Sequence, residues 1–128
     1  MSLAKGFGAT EVFVELIDAG STILDYAGIG SPEWSNGRSL RPVLKGRSQT
    51  HRSYVVSEFA QHTMIATRHW KCEFDAHNEP VLLFDRIADA CEQHNLIEDA
   101  AGKEAITQLN QMLLAHQAAT AEQRKITL

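Results

Sequence analysis

The sequence predicts an α+β fold: a small antiparallel sheet of about four strands packed by a long C-terminal helix, preceded by a shorter helix and an irregular loop. Three observations carry this expectation. Apolar and polar residues alternate over much of residues 53–85, and apolar residues recur at helical spacing over 102–120. A stretch rich in Gly, Pro, Ser, Asn and Arg at 31–50 separates the sheet-forming part from an earlier helical segment. The change of character near residue 50 divides the chain into residues 1–50 and residues 51–128.

Residues 11–17 are rich in β-formers and lead into Asp18, which is suited to cap a helix over 19–27 with Ile23, Leu24 and Ala27 on its buried face. Gly28 fits the left-handed position that ends such a helix. One short helical turn is expected around residues 40–44, then strands at 53–59, 63–69, 70–75 and 81–85. The third strand is the clearest, with Trp70, Cys72 and Phe74 on one face and Lys71 and Glu73 on the other, as a sheet with one wet side requires. Val81-Leu82-Leu83-Phe84 is apolar on both faces and should sit deeper. Short connections favour antiparallel neighbours, because a parallel pair needs a long crossover. Ile106, Leu109, Met112, Leu113 and His116 form a helical stripe that should cover the dry face, while the tail at 121–128 has few anchors and is expected to fray.

With 128 residues and 44% hydrophobic content, the chain can build one real core and is short for two ordinary domains. Its formal charge of −4 is dispersed, with no run of Lys or Arg to neutralise a phosphate backbone or an anionic bilayer. Neither nucleic acid nor a membrane is an expected partner. No stretch approaches the roughly 20 apolar residues of a spanning helix, and Met1-Ser2-Leu3-Ala4-Lys5 lacks the apolar run of a signal peptide. The chain reads as soluble, with its compartment left open.

The segment Val14-Glu15-Leu16-Ile17-Asp18-Ala19-Gly20-Ser21-Thr22-Ile23-Leu24-Asp25-Tyr26-Ala27-Gly28-Ile29 resembles a sulfatase-family stretch in which an Asp-capped helix ends in Ala-Gly-Ile or Ala-Gly-Val. Further on, Gly37-Arg38-Ser39-Leu40-Arg41-Pro42-Val43-Leu44-Lys45-Gly46 is similar to that family's Gly-x-Ser-Leu-x-Pro-Leu-Leu-x-Gly. Ser57-Glu58, Met64-Ile65-Ala66-Thr67 with Trp70-Lys71, Leu83-Phe84-Asp85 and the segment from Asp89 to Leu96 resemble later blocks in the same order. Ser21, Ala66 and Ala90 stand where the family usually has Pro, Arg and Pro, which marks a divergent member. The resemblance covers residues 11–118. It implies that residues 1–50 are the edge of a larger α/β domain and that 51–128 are a C-terminal subdomain.

The resemblance also implies a formylglycine nucleophile and a calcium-like divalent ion for a full-length parent. Neither the Cys-x-Pro-x-Arg or Ser-x-Pro-x-Arg segment nor the acidic ligand pairs of the family occur in these residues. The expected role is therefore structural, with catalytic residues, metal ligands and cofactors all supplied from elsewhere. The expected partners are the missing N-terminal sulfatase domain or a second copy. A free-standing, non-catalytic binding or dimerisation module is the alternative.

Gln61 and His62 are the substrate-rim candidates, because in the sulfatase arrangement the turn between the first two strands faces the cleft, where His62 could donate a hydrogen bond to an anionic substrate. A solvated turn histidine is the plainer reading. Cys72, His77, Cys91 and His94 have ligand types suited to zinc, but their order fits no standard finger, and Cys72 equally suits a buried thiol on an apolar strand face. Asp18 is most simply a helix cap, and Arg52, Arg68 and Lys71 most simply the wet face of the sheet.

Overall fold

A computed structural model describes residues 10–126, with side chains followed to Ala121. By its contacts the chain falls into two compact units, one ending at Ser53 and the other beginning at Tyr54.

In the first unit, helix α1 spans Leu16–Tyr26 and starts inside the stretch expected to be a strand. Of that stretch only Phe13 pairs, in a single antiparallel bridge to Arg52. The cap is Glu15, and Asp18 sits one turn in, where its Oδ2 accepts from the Glu15 N–H at 2.9 Å. Gly28 adopts a positive φ of 74° just beyond the helix, the conformation a left-handed termination needs. A short helix α2 spans Arg41–Leu44, with Pro42 in its first turn.

The buried face of α1 differs from the expectation. Asp18, Ser21 and Thr22 are buried, whereas Ile23 is 69% exposed. Residues 18, 22 and 25 share one helical stripe, and their oxygens meet polar groups of the following loop. The Arg38 N–H donates to Asp18 Oδ1 at 2.8 Å, and the Leu40 N–H to Thr22 Oγ1 at 2.8 Å. Ser39 Oγ donates to Asp25 Oδ2 at 2.5 Å, and Arg41 pairs with Asp25 Oδ1 at 2.9 Å. Gly37 is required at the closest approach, since a Cβ there would collide with the Ser21 side chain and the Ile17 carbonyl. A polar face wins here because loop N–H groups buried without acceptors are costly.

Asp18 is accordingly more than a cap. It is fully buried and accepts from Arg52 Nε at 2.8 Å, from a second Arg52 nitrogen, and from His51 Nε2 at 3.0 Å. Arg52 also reaches Glu15 at 3.2 Å and the Asn36 carbonyl at 2.9 Å, so it belongs to this cluster and not to a wet sheet face. Burial alone would raise the Asp18 carboxyl; the Arg52 guanidinium, the Glu15 and Arg38 N–H groups and His51 outweigh it and hold the carboxyl well below the usual range.

In the second unit, strands β1 (Tyr54–Phe59), β2 (His62–Thr67), β3 (Trp70–Phe74) and β4 (Pro80–Asp85) form one antiparallel sheet in the order β1-β2-β3-β4. Ile65, Cys72 and Leu83 face one another in register, and with Phe74 they pack on Ala105, Leu109 and Leu113 of helix α3, Lys103–Ile126. This is the expected sheet and covering helix. β4 lies at the sheet edge, so of Val81-Leu82-Leu83-Phe84 only Leu83 is fully buried. α3 extends to Ile126, a stretch in which Ala121, Glu122, Gln123, Arg124 and Lys125 are strong helix formers; the last two residues of the tail expected to fray lie outside the described residues. Lys71 is half-buried and meets Glu92 at 2.5 Å.

Candidate functional site

The β1–β2 turn carries both rim candidates. Ala60 and Gln61 form a two-residue connection with φ of 48° and 71°, the double positive φ of a type I′ hairpin. Neither is Gly or Asn, the residues that adopt this conformation at least cost, so the turn holds backbone strain. Gln61 sits in the turn itself and His62 opens β2. Phe59 and His62 are register partners, so both side chains project from the face of the sheet opposite Ile65 and Cys72, and Phe59 is 83% exposed.

His62 Nδ1 lies 2.7 Å from Glu73 Oε1 on that face, with both side chains partly exposed. Met64, the register partner of Glu73, is two residues from His62, so the histidine and the carboxylate meet on a diagonal between β2 and β3. A hollow of about 360 Å³ bordered by Ser57, Phe59, His62, Met64 and Glu73 lies beside this pair. A second groove, of about 440 Å³, turns around the end of the sheet and is lined by Glu58, Gln61, Thr63, Asp75, Asn78 and Gln117 as well as Phe59 and His62.

The groove wall is built by short-range polar contacts. Asp75 accepts from the Glu79 N–H at 2.9 Å and the His77 N–H at 2.8 Å, which orders the β3–β4 turn. These two backbone donors, Glu79 foremost, with the nearby His77 and His62 rings, hold the Asp75 carboxyl below its usual range against a smaller effect of burial. Asn78 and Gln117 exchange hydrogen bonds at 3.3 and 2.9 Å and tie that turn to α3.

The cysteines lie elsewhere. Cys72 is fully buried, and burial, with the Glu73 charge, pushes its thiol up to about 12. Cys91 is exposed, and both thiols are free. His94 faces Asp89 at 3.6 Å. Among the described residues no three His, Cys, Asp or Glu side chains come together to hold a metal ion. They therefore fit neither the zinc reading nor the calcium-like ion that the resemblance implies for a longer parent. Cys72 and Cys91 do not fit a formylglycine precursor either, since Phe74 and Gln93 stand where Cys-x-Pro-x-Arg has Pro, and Ala76 and Asn95 where it has Arg. No described helix is long and apolar enough to cross a membrane.

Sequence reasoning placed Gln61 in the turn, as found, and His62 beside it there, whereas His62 opens β2; it missed the partner Glu73 and the neighbours Phe59 and Asp75. The alternation of Phe59, His62 and Glu73 on one sheet face was the available signal, readable only once the register is known.

A family model described as N-sulphoglucosamine sulphohydrolase, C-terminal, matches residues 3–119. An arylsulfatase of Clostridium perfringens is 30% identical over 105 residues, covering 79% of this chain. This chain spans only 22% of that relative's length. Among solved structures, BT4656, in complex with its substrate D-glucosamine-2-N,6-O-disulfate, aligns with a TM-score of 0.72 at 24% identity, over 82% of this chain and 24% of its own. The phosphonate monoester hydrolase of Silicibacter pomeroyi aligns with a TM-score of 0.72 at 24% identity, over 84% of this chain and 25% of its own. At these identities the two structures are likenesses of fold.

Proposed function

The chain belongs to the N-sulphoglucosamine sulphohydrolase C-terminal family of sulfatases, and on that footing we propose that it serves as the C-terminal part of a hydrolase of sulfate esters, or of related phosphonate or phosphate esters. It does no bond-breaking itself. It frames the fold and lends a rim to the substrate cleft through Gln61 and His62. The observation that supports this reading is the strained hairpin tip, where His62 is held by Glu73 beside the exposed Phe59 ring. Ester hydrolysis of the sulfatase kind needs an activated nucleophile and an ion to polarise the ester; the sequence carries no formylglycine motif, and among the described residues no three His, Cys, Asp or Glu side chains converge to hold an ion.

The rest of a sulfatase domain, or a second copy of the chain, covers the apolar side chains of the first unit. Leu16, Ile23, Tyr26, Trp34 and Leu44 are each more than half exposed, and burying them against a partner would be favourable.

A chimera tests the rim role. This chain replaces the matching segment of the Clostridium perfringens arylsulfatase, and turnover of aryl sulfates and of hydroxyl-bearing sugar sulfates is followed. The chimera is expected to turn over, and His62→Ala within it to raise KM several-fold with kcat nearly unchanged, the mark of a lost binding contact remote from the chemistry. An unchanged KM for every ester tried would remove His62 from the rim.

A further inference from the structure

We propose that Glu73 is a positioning residue that fixes His62 as the Nδ1–H tautomer, so that the groove receives an uncharged, hydroxyl-bearing part of a ligand on His62 Nε2 and turns anionic groups away. The inference rests on the rim reading and names what the rim touches. A carboxylate only accepts hydrogen bonds, so the nitrogen 2.7 Å from Glu73 Oε1 carries the hydrogen. In the neutral ring the other nitrogen, Nε2, then presents a lone pair, which accepts from a hydroxyl and repels a sulfate oxygen.

The surroundings point the same way. Glu58, Glu73 and Asp75 border the two hollows that His62 shares, and no Lys or Arg is among the residues lining either one. His77 lies close enough to Asp75 to act on its carboxyl, which remains the ionised acceptor of two backbone N–H groups. An incoming anion therefore meets like charges, whereas a hydroxyl meets acceptors in the carboxylates and both donors and acceptors in the amides of Asn78 and Gln117. Phe59, opposite His62 in register, offers a flat apolar face on which the C–H side of a ring can lie.

Nuclear magnetic resonance on the purified chain tests this in two arms. Two-bond proton–nitrogen correlations, recorded where the ring is neutral, are expected to show His62 protonated at Nδ1 in the wild type. Glu73→Gln, whose side-chain carbonyl still accepts from Nδ1, is expected to keep that tautomer, and Glu73→Ala to lose it. An Nε2–H tautomer in the wild type overturns the proposal. In the second arm N-acetylglucosamine, an uncharged sugar, and inorganic sulfate are titrated at matched ionic strength. The sugar is expected to move the amide resonances of Phe59, His62 and Asn78, with about tenfold weaker binding in Glu73→Ala, and sulfate is expected to move none of them. Shifts driven by sulfate, or no shifts with the sugar, overturn the proposal. A failed KM change in the chimera with both arms intact would instead count against the rim role alone.

Discussion

Asp18 and Phe74 are both fully buried, and each anchors its unit by opposite means. Around Asp18 the first unit gathers Arg52, His51 and two backbone N–H groups, and leaves Leu16, Ile23 and Trp34 facing out. Around Phe74 the second unit gathers Ile65, Leu83, Leu109 and Leu113 into an apolar core, with Phe59, Ile87 and Leu114 left exposed. A buried ion pair is weak evidence of stability, because desolvation offsets most of the attraction, whereas apolar burial contributes directly. The second unit is therefore the self-sufficient one. The first has a polar interior and leaves several apolar side chains exposed, which the proposed sulfatase domain or second copy would cover.

Truncating each anchor sharpens this contrast. Phe74→Ala is expected to cost about 3–5 kcal/mol through lost burial and the cavity left behind, read as earlier denaturant unfolding of the sheet. Asp18→Ala is expected to cost about 3–5 kcal/mol, because it strands Arg52 and His51 without their acceptor. Removing the charge with its partner, in Asp18→Ala/Arg52→Met, should cost clearly less than Asp18→Ala alone. A double change as damaging as the sum of the singles would show that packing, and not the pairing, holds this unit.

Acid offers a second way to separate the units. The Asp18 carboxyl is held below its ordinary value of 3.8, so its contribution is complete above that pH and is lost as pH falls towards the folded value. Hydrogen exchange followed from about pH 5 down to about pH 2 is expected to show loss of protection at the Glu15 and Arg38 amides, which donate to Asp18, setting in below pH 3.8. Amides paired between β2 and β3 should keep theirs longer. Simultaneous loss in both units would break the contrast.

Smaller effects are expected at the outward apolar positions. Ile23→Ser should change stability by no more than about 0.5 kcal/mol in a monomer, since the side chain is already in water. Leu24 is only half-buried on α1, and Leu24→Asp is expected to dissociate or precipitate a self-associated species, read by light scattering. A monomer at high concentration, indifferent to that change, would count against a second copy as the cover.

Period two made the sheet legible: Trp70, Cys72 and Phe74 separate from Lys71 and Glu73 in the sequence as they do across the sheet. The covering stripe of α3 was equally local. The inside of α1 was not, because Asp18 finds Arg38, His51 and Arg52 at sequence separations of 20, 33 and 34 residues. An apolar residue count cannot anticipate a helix that buries its carboxylate and exposes its isoleucines. At the candidate site the turn around Gln61 and His62 was legible from its neighbours in sequence, while the Glu73 contact depends on strand register, which a single sequence leaves open.

The proposal that this chain frames a sulfatase-like cleft without doing its chemistry is tested most directly by assaying the purified chain on aryl sulfate and phosphonate esters, with and without calcium or manganese. The expected result is hydrolysis no faster than buffer under every condition. Metal-dependent turnover that follows the protein through purification, and disappears in a mutant of this chain, would contradict it.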